Sequence, residues 1–165
     1  MTQKSETNTS TKGGVPVGDH APDFSATDAA GEPIRLSERL KNNAVVLFFY
    51  PKDDSVVCTA EACAFRDSYE AFTKAGAEVI GISRGDDGTH QRFAAKNRLP
   101  FLLLSDADGA IRKLYGVRSV LGVIPGRVTF VIGRDGIVRG KFEALLESQK
   151  HVTEALQTLQ NLPVG

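Results

Sequence analysis

Two side chains in this sequence can carry thiol redox chemistry, Cys58 and Cys63, and they are its only cysteines. They stand five residues apart in Tyr50-Pro51-Lys52-Asp53-Asp54-Ser55-Val56-Val57-Cys58-Thr59-Ala60-Glu61-Ala62-Cys63, where one kind of pattern hands over to another. Upstream, Ala44 to Tyr50 is an apolar run rich in β-branched and aromatic residues, the length of a strand buried on both faces. Downstream, Ala62, Phe65, Tyr69 and Phe72 recur every three or four residues, the period of a helix with one apolar face. Cys58 is therefore predicted in the loop or first turn at a helix N-terminus. Free backbone N–H groups and the positive end of the helix dipole favour negative charge there, and the ionised form of a cysteine is the one that attacks. Ser55 offers a hydroxyl to the sulfur or to its target. Pro51 fixes φ where the strand ends and brings no N–H, which suits a rigid loop that shields the sulfur from bulk water. A lone cysteine is more often buried and inert. Strand, proline loop, hydroxyl and helix start together favour the reactive reading.

Cys63 adds a second thiol at a telling distance. Five residues of one helix are about 140° of rotation and about 7.5 Å of rise, which separates the Cα atoms by roughly 8–9 Å. An unstrained disulfide reaches about 7 Å. The pair cannot join while the helix is intact and can join if its first turns unwind. A permanent bridge over so short a loop would also remove little entropy from the unfolded chain. Such a pair suits a switch better than a staple.

The pattern Pro51-x-x-x-Ser55-x-x-Cys58 resembles the Pro-x-x-x-Thr/Ser-x-x-Cys signature of the peroxiredoxins. With a second cysteine in Cys58-Thr59-Ala60-Glu61-Ala62-Cys63-Ala64-Phe65-Arg66-Asp67, it resembles their Q-type branch, also called bacterioferritin comigratory protein. The resemblance spans roughly Val17 to Leu162. Ser83 to Asp87 and Leu99 to Phe101 look like the plant and cyanobacterial subgroup. Two departures stand out: Ser55 in place of the commoner Thr, and Val56-Val57 where many Q-type members have Pro-Gly, which would stiffen or reshape the loop. The family implies a thioredoxin-like α/β fold with an N-terminal β-hairpin extension and a mixed central sheet flanked by helices. It implies a thiol-dependent peroxidase in which Cys58 attacks hydrogen peroxide or an alkyl hydroperoxide and becomes a sulfenic acid. Cys63 then condenses with it to an intramolecular disulfide, and thioredoxin or a similar dithiol restores both thiols. The resemblance also assigns Arg127, in Gly126-Arg127-Val128-Thr129-Phe130, to the peroxidatic sulfur; without it, an arginine beside a strand is usually a solvated charge. Members of the branch are often monomers, which is the expectation here.

Glu61, one turn after Cys58, can pair with Arg127 or favour the helix N-terminus. His20, His90 and His151 are scattered and read as surface or packing residues. They make no zinc spacing with the cysteines, and Gly116 to Gly126 carries no phosphate-loop pattern, so no metal or nucleotide cofactor is expected. A thioredoxin-like disulfide oxidoreductase is a second enzyme reading, but it needs a closer pair than Cys58 and Cys63. From another class comes a redox sensor or holdase, switched when oxidation of Cys58 opens the helix.

Composition sets the outer limits. The chain has 165 residues, with 20 basic and 20 acidic side chains and no net charge, so nothing favours nucleic acid or an acidic membrane as partner. No apolar run has membrane-spanning length. Residues 1–14, polar and rich in Ser and Thr without an apolar core, read as a disordered tail rather than a signal peptide. Residues 15–165 then form one domain. Two cysteines are too few for a disulfide scaffold, which points to a reducing compartment, the cytoplasm or an organellar stroma.

The elements that must position the site follow from the same patterns. Pro22 to Asp28 and Ile34 to Leu36 read as two short strands around the turn Ala30-Gly31-Glu32-Pro33, with Ser37 capping a helical turn. A helix is expected from about Val57 to Ala75, ended by Gly76, and Glu78 to Ser83 as the next buried strand, joined by a right-handed parallel crossover. His90 to Asn97 reads as a short helix, Phe101 to Ser105 as a strand, Ala110 to Tyr115 as a helix, and Gly116 to Gly126 as a loop bordering the site. Val128 to Ile132 and Ile137 to Phe142 form a hairpin around Arg134-Asp135-Gly136. Leu146 to Leu162 closes the chain as an amphipathic helix.

Overall fold

A computed structural model of the chain describes residues 14–28, 30–51, 56–117, 119–120, 124–125, 127–144 and 147–162. The polar tail up to residue 13 and Ser55 lie outside the described residues. In chain order the elements are β1 (Ser25–Thr27), β2 (Pro33–Arg35), α1 (Leu36–Arg39), β3 (Ala44–Phe49), α2 (Val56–Asp67), α3 (Tyr69–Lys74), β4 (Ala77–Ser83) and α4 (Asp87–Asn97). Then come β5 (Leu102–Ser105), α5 (Ala110–Leu114), β6 (Ser119–Val120), β7 (Ile124–Pro125), β8 (Val128–Ile132), β9 (Val138–Glu143) and α6 (Ser148–Gln160).

The apolar run before Pro51 is the middle strand of the main sheet, whose order is β5-β4-β3-β8-β9. β4 runs parallel to β3 through the α2–α3 crossover, β5 runs parallel to β4, and β8 and β9 are antiparallel to their neighbours. All six residues of β3 are buried, and their alternation feeds two cores. Val45, Leu47 and Phe49 point to one face, with Phe24, Leu36, Tyr115 and Phe130. Val46, Phe48 and Tyr50 point to the other, where α2, α3, α4 and α6 supply Phe65, Phe72, Phe93, Val152 and Leu159. This is a thioredoxin-like α/β plan with an N-terminal hairpin, β1–β2, and a mixed sheet flanked by helices.

Aromatic rings lock α2 to the centre of the sheet. Phe48 stacks on Phe65 at 4.6 Å with 18° between planes and on Tyr50 at 5.4 Å. Burying a ring such as Phe65 is worth about 1.5–3 kcal/mol, before the offset-stacking term. The neighbouring strand must leave room for this: a Cβ on Gly81 would lie 2.8 Å from both Phe48 Cζ and Leu103 Cδ2. Glycine is required there by space.

Several expectations need correction. The helix expected from Val57 to Ala75 breaks at Ser68, whose ψ of 9° departs from helical geometry, so that α3 is a separate helix. Gly76, at φ +78°, ends it as expected. Ser37 does not cap α1 through its own side chain. Asp23, fourteen residues upstream, accepts the Ser37 N–H at 2.9 Å and its hydroxyl at 3.0 Å, so a tertiary contact replaces the local cap. α4 begins at Asp87, three residues before the expected His90, because Asp86 takes the N-cap and accepts the Thr89 N–H at 2.7 Å. The segment from Gly116 to Gly126 is more than a loop: β6 and β7 pair antiparallel within it. The last helix is shorter than expected, Ser148–Gln160.

Candidate active site

α2 begins at Val56 and runs unbroken through both cysteines, which are free thiols. Cys58 lies in its first turn and is 1% exposed. The chain that leads there is pinned at Tyr50 and Pro51. The Tyr50 carbonyl accepts Arg112 Nη2 at 3.0 Å, the Tyr50 N–H donates to the Ile82 carbonyl at 3.1 Å, and the Pro51 carbonyl accepts the Ser83 hydroxyl at 3.3 Å. A carbonyl-rich strand end with no N–H at Pro51 is thus held by groups from β4 and α5.

Arg127 immediately precedes β8 and reaches Cys58 on α2. Its Nη2 donates to Cys58 Sγ at 3.0 Å and its Nη1 to Glu61 Oε1 at 2.6 Å. Arg127 is 5% exposed and Glu61 fully buried, so both interactions act in a dry setting where charge is weakly screened. Burial works against the Arg127 charge. The Glu61 carboxyl and the Cys58 sulfur outweigh it and hold the guanidinium above its usual range. Burial also pushes the Glu61 carboxyl from 4.5 up to about 7, against the opposing pull of Arg127. A fixed cation against a buried sulfur favours negative charge at that sulfur.

Cys63, half-buried, faces another neighbour. Its sulfur lies 3.7 Å from Asn97 Oδ1 at the end of α4, and Arg66 Nη1 donates to the Asn97 carbonyl at 2.8 Å. The two thiols therefore point to different partners of one intact helix, the arrangement foreseen from their spacing.

Of the expected site residues, Cys58 and Arg127 are in contact, Pro51 is held through its own carbonyl and through Tyr50, and Cys63 lies on the same helix about one turn and a half away. Ser55 lies outside the described residues. Three further residues belong to the cluster. Glu61 takes the first of its two expected roles, the pair with Arg127. Arg112, buried on α5, places a second positive charge within electrostatic range of Cys58. His151 on α6 is fully buried, with Nδ1 2.7 Å from the Thr129 hydroxyl and 3.3 Å from Glu61 Oε2. His151, expected as a surface or packing residue, is buried with polar partners, and its neighbours are those of the site. The only sequence signal for it is its place on the buried stripe of α6 beside Val152. Among the described residues no group of His, Cys, Asp and Glu is arranged to hold a metal ion.

Comparison with known proteins agrees with this geometry. The family model "AhpC/TSA family" matches residues 17–141. The chain is 48% identical over 152 residues to the chloroplastic peroxiredoxin Q of Triticum aestivum, covering 92% of this chain and 67% of that one. Its fold superposes on the peroxidoxin BcpB of Mycobacterium tuberculosis with a TM-score of 0.83 at 38% identity, covering 90% of this chain and 98% of that one. It also superposes on the Xanthomonas campestris bacterioferritin comigratory protein, which has alkyl peroxide reduction activity, with a TM-score of 0.76 at 28% identity, covering 83% and 90% of the two chains. The chain belongs to the AhpC/TSA family, in its Q-type peroxiredoxin branch, and is a thiol-dependent peroxidase.

Proposed function

We propose that Cys58 is the nucleophile of this peroxidase and Cys63 its resolving partner. The observation that carries the reading is the Arg127 guanidinium, which joins Cys58 Sγ to Glu61 in a buried site. The ionised sulfur attacks the terminal oxygen of hydrogen peroxide or an alkyl hydroperoxide. The S–O bond forms as the O–O bond breaks, the departing alkoxide or hydroxide takes up a proton as alcohol or water, and Cys58 is left as sulfenic acid. Arg127, the Ser55 hydroxyl and the N–H groups of the first turn of α2 orient the peroxide, and Pro51 fixes the loop that screens it. The first turns of α2 then unwind, Cys63 displaces water from the sulfenic acid, and the disulfide forms. A dithiol reductant of the thioredoxin kind restores both thiols by exchange.

The enzyme acts as a monomer in a reducing compartment, the cytoplasm or an organellar stroma. In support, the large apolar side chains exposed among the described residues are only three, Val17, Val56 and Leu114. Light scattering that gave a dimer mass would correct the first statement, and cell fractionation checks the second.

The central experiment follows NADPH oxidation with thioredoxin, thioredoxin reductase and hydrogen peroxide for the wild type, Cys58→Ser and Cys63→Ser. Cys58→Ser is expected to show no turnover. Cys63→Ser is expected to consume one equivalent of peroxide and then stop. Undiminished cycling in Cys58→Ser would sink the nucleophile assignment, and many cycles in Cys63→Ser would sink the resolving role.

A further inference from the structure

Glu61 has two carboxyl oxygens and only one is engaged. Oε1 accepts from Arg127, while Oε2 is fully buried and has no hydrogen-bond partner. It faces Nδ1 of His151, 3.3 Å away. An unpartnered carboxyl oxygen in a dry site is costly enough to require an explanation.

His151 supplies one. Its Nε2 lies 2.7 Å from the Ala144 carbonyl, which can only accept, so Nε2 carries a hydrogen. The state of Nδ1 is then the single open variable on the ring. The Thr129 hydroxyl, at 2.7 Å, can donate to a bare Nδ1 or accept from a protonated one, and so tolerates both. Glu61 Oε2 does not: a bare Nδ1 facing an ionised carboxylate sets lone pair against lone pair. A proton on either atom turns the contact from repulsive to attractive. Two protons cannot sit between them, and with none Oε2 is left without a donor while Thr129 satisfies Nδ1.

The charged and titratable groups around the pair complete the picture. Cys58 lies on the same helix as Glu61, Arg127 enters from the start of β8, and Glu147 stands beside the N-terminus of α6 near His151. Burial, the dominant influence on both members of the pair, raises the Glu61 carboxyl to about 7 and lowers the His151 imidazole below its ordinary 6.5. A positive imidazolium beside Arg127 is thus disfavoured, and as pH falls through about 7 the shared proton is taken up on Glu61.

The state of Glu61 matters to the sulfur because Arg127 has two customers. An ionised carboxylate at 2.6 Å draws the guanidinium toward Nη1 and shares its charge, whereas a neutral carboxyl leaves more of that charge to the Nη2 contact with Cys58. We propose that Glu61 and His151 share one buried proton and that His151 is thereby a positioning residue for the peroxide reaction, setting through Glu61 how strongly Arg127 acts on Cys58. This rests on the assignment of Cys58 as nucleophile.

The test measures the second-order rate of peroxide consumption by reduced protein, in competition with a haem peroxidase, from pH 5 to 9. It compares the wild type, Glu61→Gln and His151→Asn, each first shown to be folded by circular dichroism. The wild type is expected to show an inflection near pH 7. Glu61→Gln removes that ionisation and is expected to lose the inflection. The Asn side chain in place of His151 can donate an N–H to Oε2, which favours the carboxylate, so the inflection is expected to move down by about one pH unit, equivalent to one charge-assisted hydrogen bond. An inflection that survives Glu61→Gln, or stays in place in His151→Asn, overturns the proposal. The nucleophile assignment fails separately, by persistent peroxide consumption in Cys58→Ser.

Discussion

The two cysteines share a helix and differ in almost everything else. Cys58 is sealed in the first turn of α2 and held by a guanidinium that is itself anchored to a buried carboxyl. Cys63 is half-buried and touches a neutral amide at 3.7 Å, near the end of α4. A charged, dry and over-determined environment suits the residue that must react with a small molecule in one geometry. A weak, neutral contact suits one that has to leave its place. The difference teaches that the chemistry of a thiol pair is set by what each sulfur touches, since the backbone element is common to both.

Breaking the strong side should have the largest effect. Arg127→Gln keeps a hydrogen-bonding group but removes the charge, and the rate of Cys58 oxidation by hydrogen peroxide is expected to fall about 10²- to 10³-fold, as when one preorganised donor is lost from an oxyanion site. Stopped-flow or competition kinetics on the reduced protein measures it. A change below threefold would mean that Arg127 is only a structural neighbour of the sulfur.

A second experiment probes the anchor behind Arg127 through stability. The Glu61 carboxyl is raised from 4.5 to about 7, so the native state gains a proton there, and its stabilising contribution, complete below pH 4.5, is lost as pH rises through 7. His151 is lowered from 6.5, so its contribution has the opposite sign: the native state holds fewer protons than the unfolded one, and stability rises toward pH 6.5. In the wild type the two slopes oppose each other. Glu61→Gln removes one of them, and its stability relative to the wild type is expected to improve steadily from pH 4.5 to 7, by up to about 1.4 kcal/mol per pH unit. Urea unfolding at several pH values reads this, and parallel curves for the two proteins would refute it.

The weak side should respond least. Asn97→Ala removes the acceptor that faces Cys63 and the bond from Asn97 Nδ2 to the Phe93 carbonyl, 3.0 Å long. A net loss of about 1 kcal/mol is expected to speed disulfide formation after a single peroxide addition roughly fivefold. Quenched-flow alkylation of free thiols follows the step. Slower closure would show that Asn97 guides Cys63 instead of retaining it.

Much of this was legible in the chain because strong local signals coincide with the tertiary result. The run from Ala44 to Tyr50 reads as a buried strand and is the central one; the cysteine spacing predicts two thiols held apart on one helix. Pro51 is legible from its place at the strand end, whereas Arg127 comes from a motif and would pass for a solvated charge without it. What stayed hidden depends on distant partners. Ser37 looked like a helix cap, but Asp23 does the capping from a strand away. The helix break at Ser68 carries no glycine or proline to announce it. His151 shows nothing beyond its place on the buried face of α6, because its significance arises only when α6 packs on α2 and brings the ring to Glu61.

Glu61 stands between Cys58 and Cys63 in the same helical segment. In the proposed cycle, the turns that carry one sulfur to the other also withdraw this carboxyl from Arg127 and into water. Reduction then does more than split a sulfur–sulfur bond: it returns Glu61 to its buried hydrogen bond with Arg127 and rewinds the helix over the aromatic core. That refolding adds to the driving force for reduction and moves the reduction potential of the couple toward the oxidising side. The tertiary structure thereby helps the reductant finish each cycle.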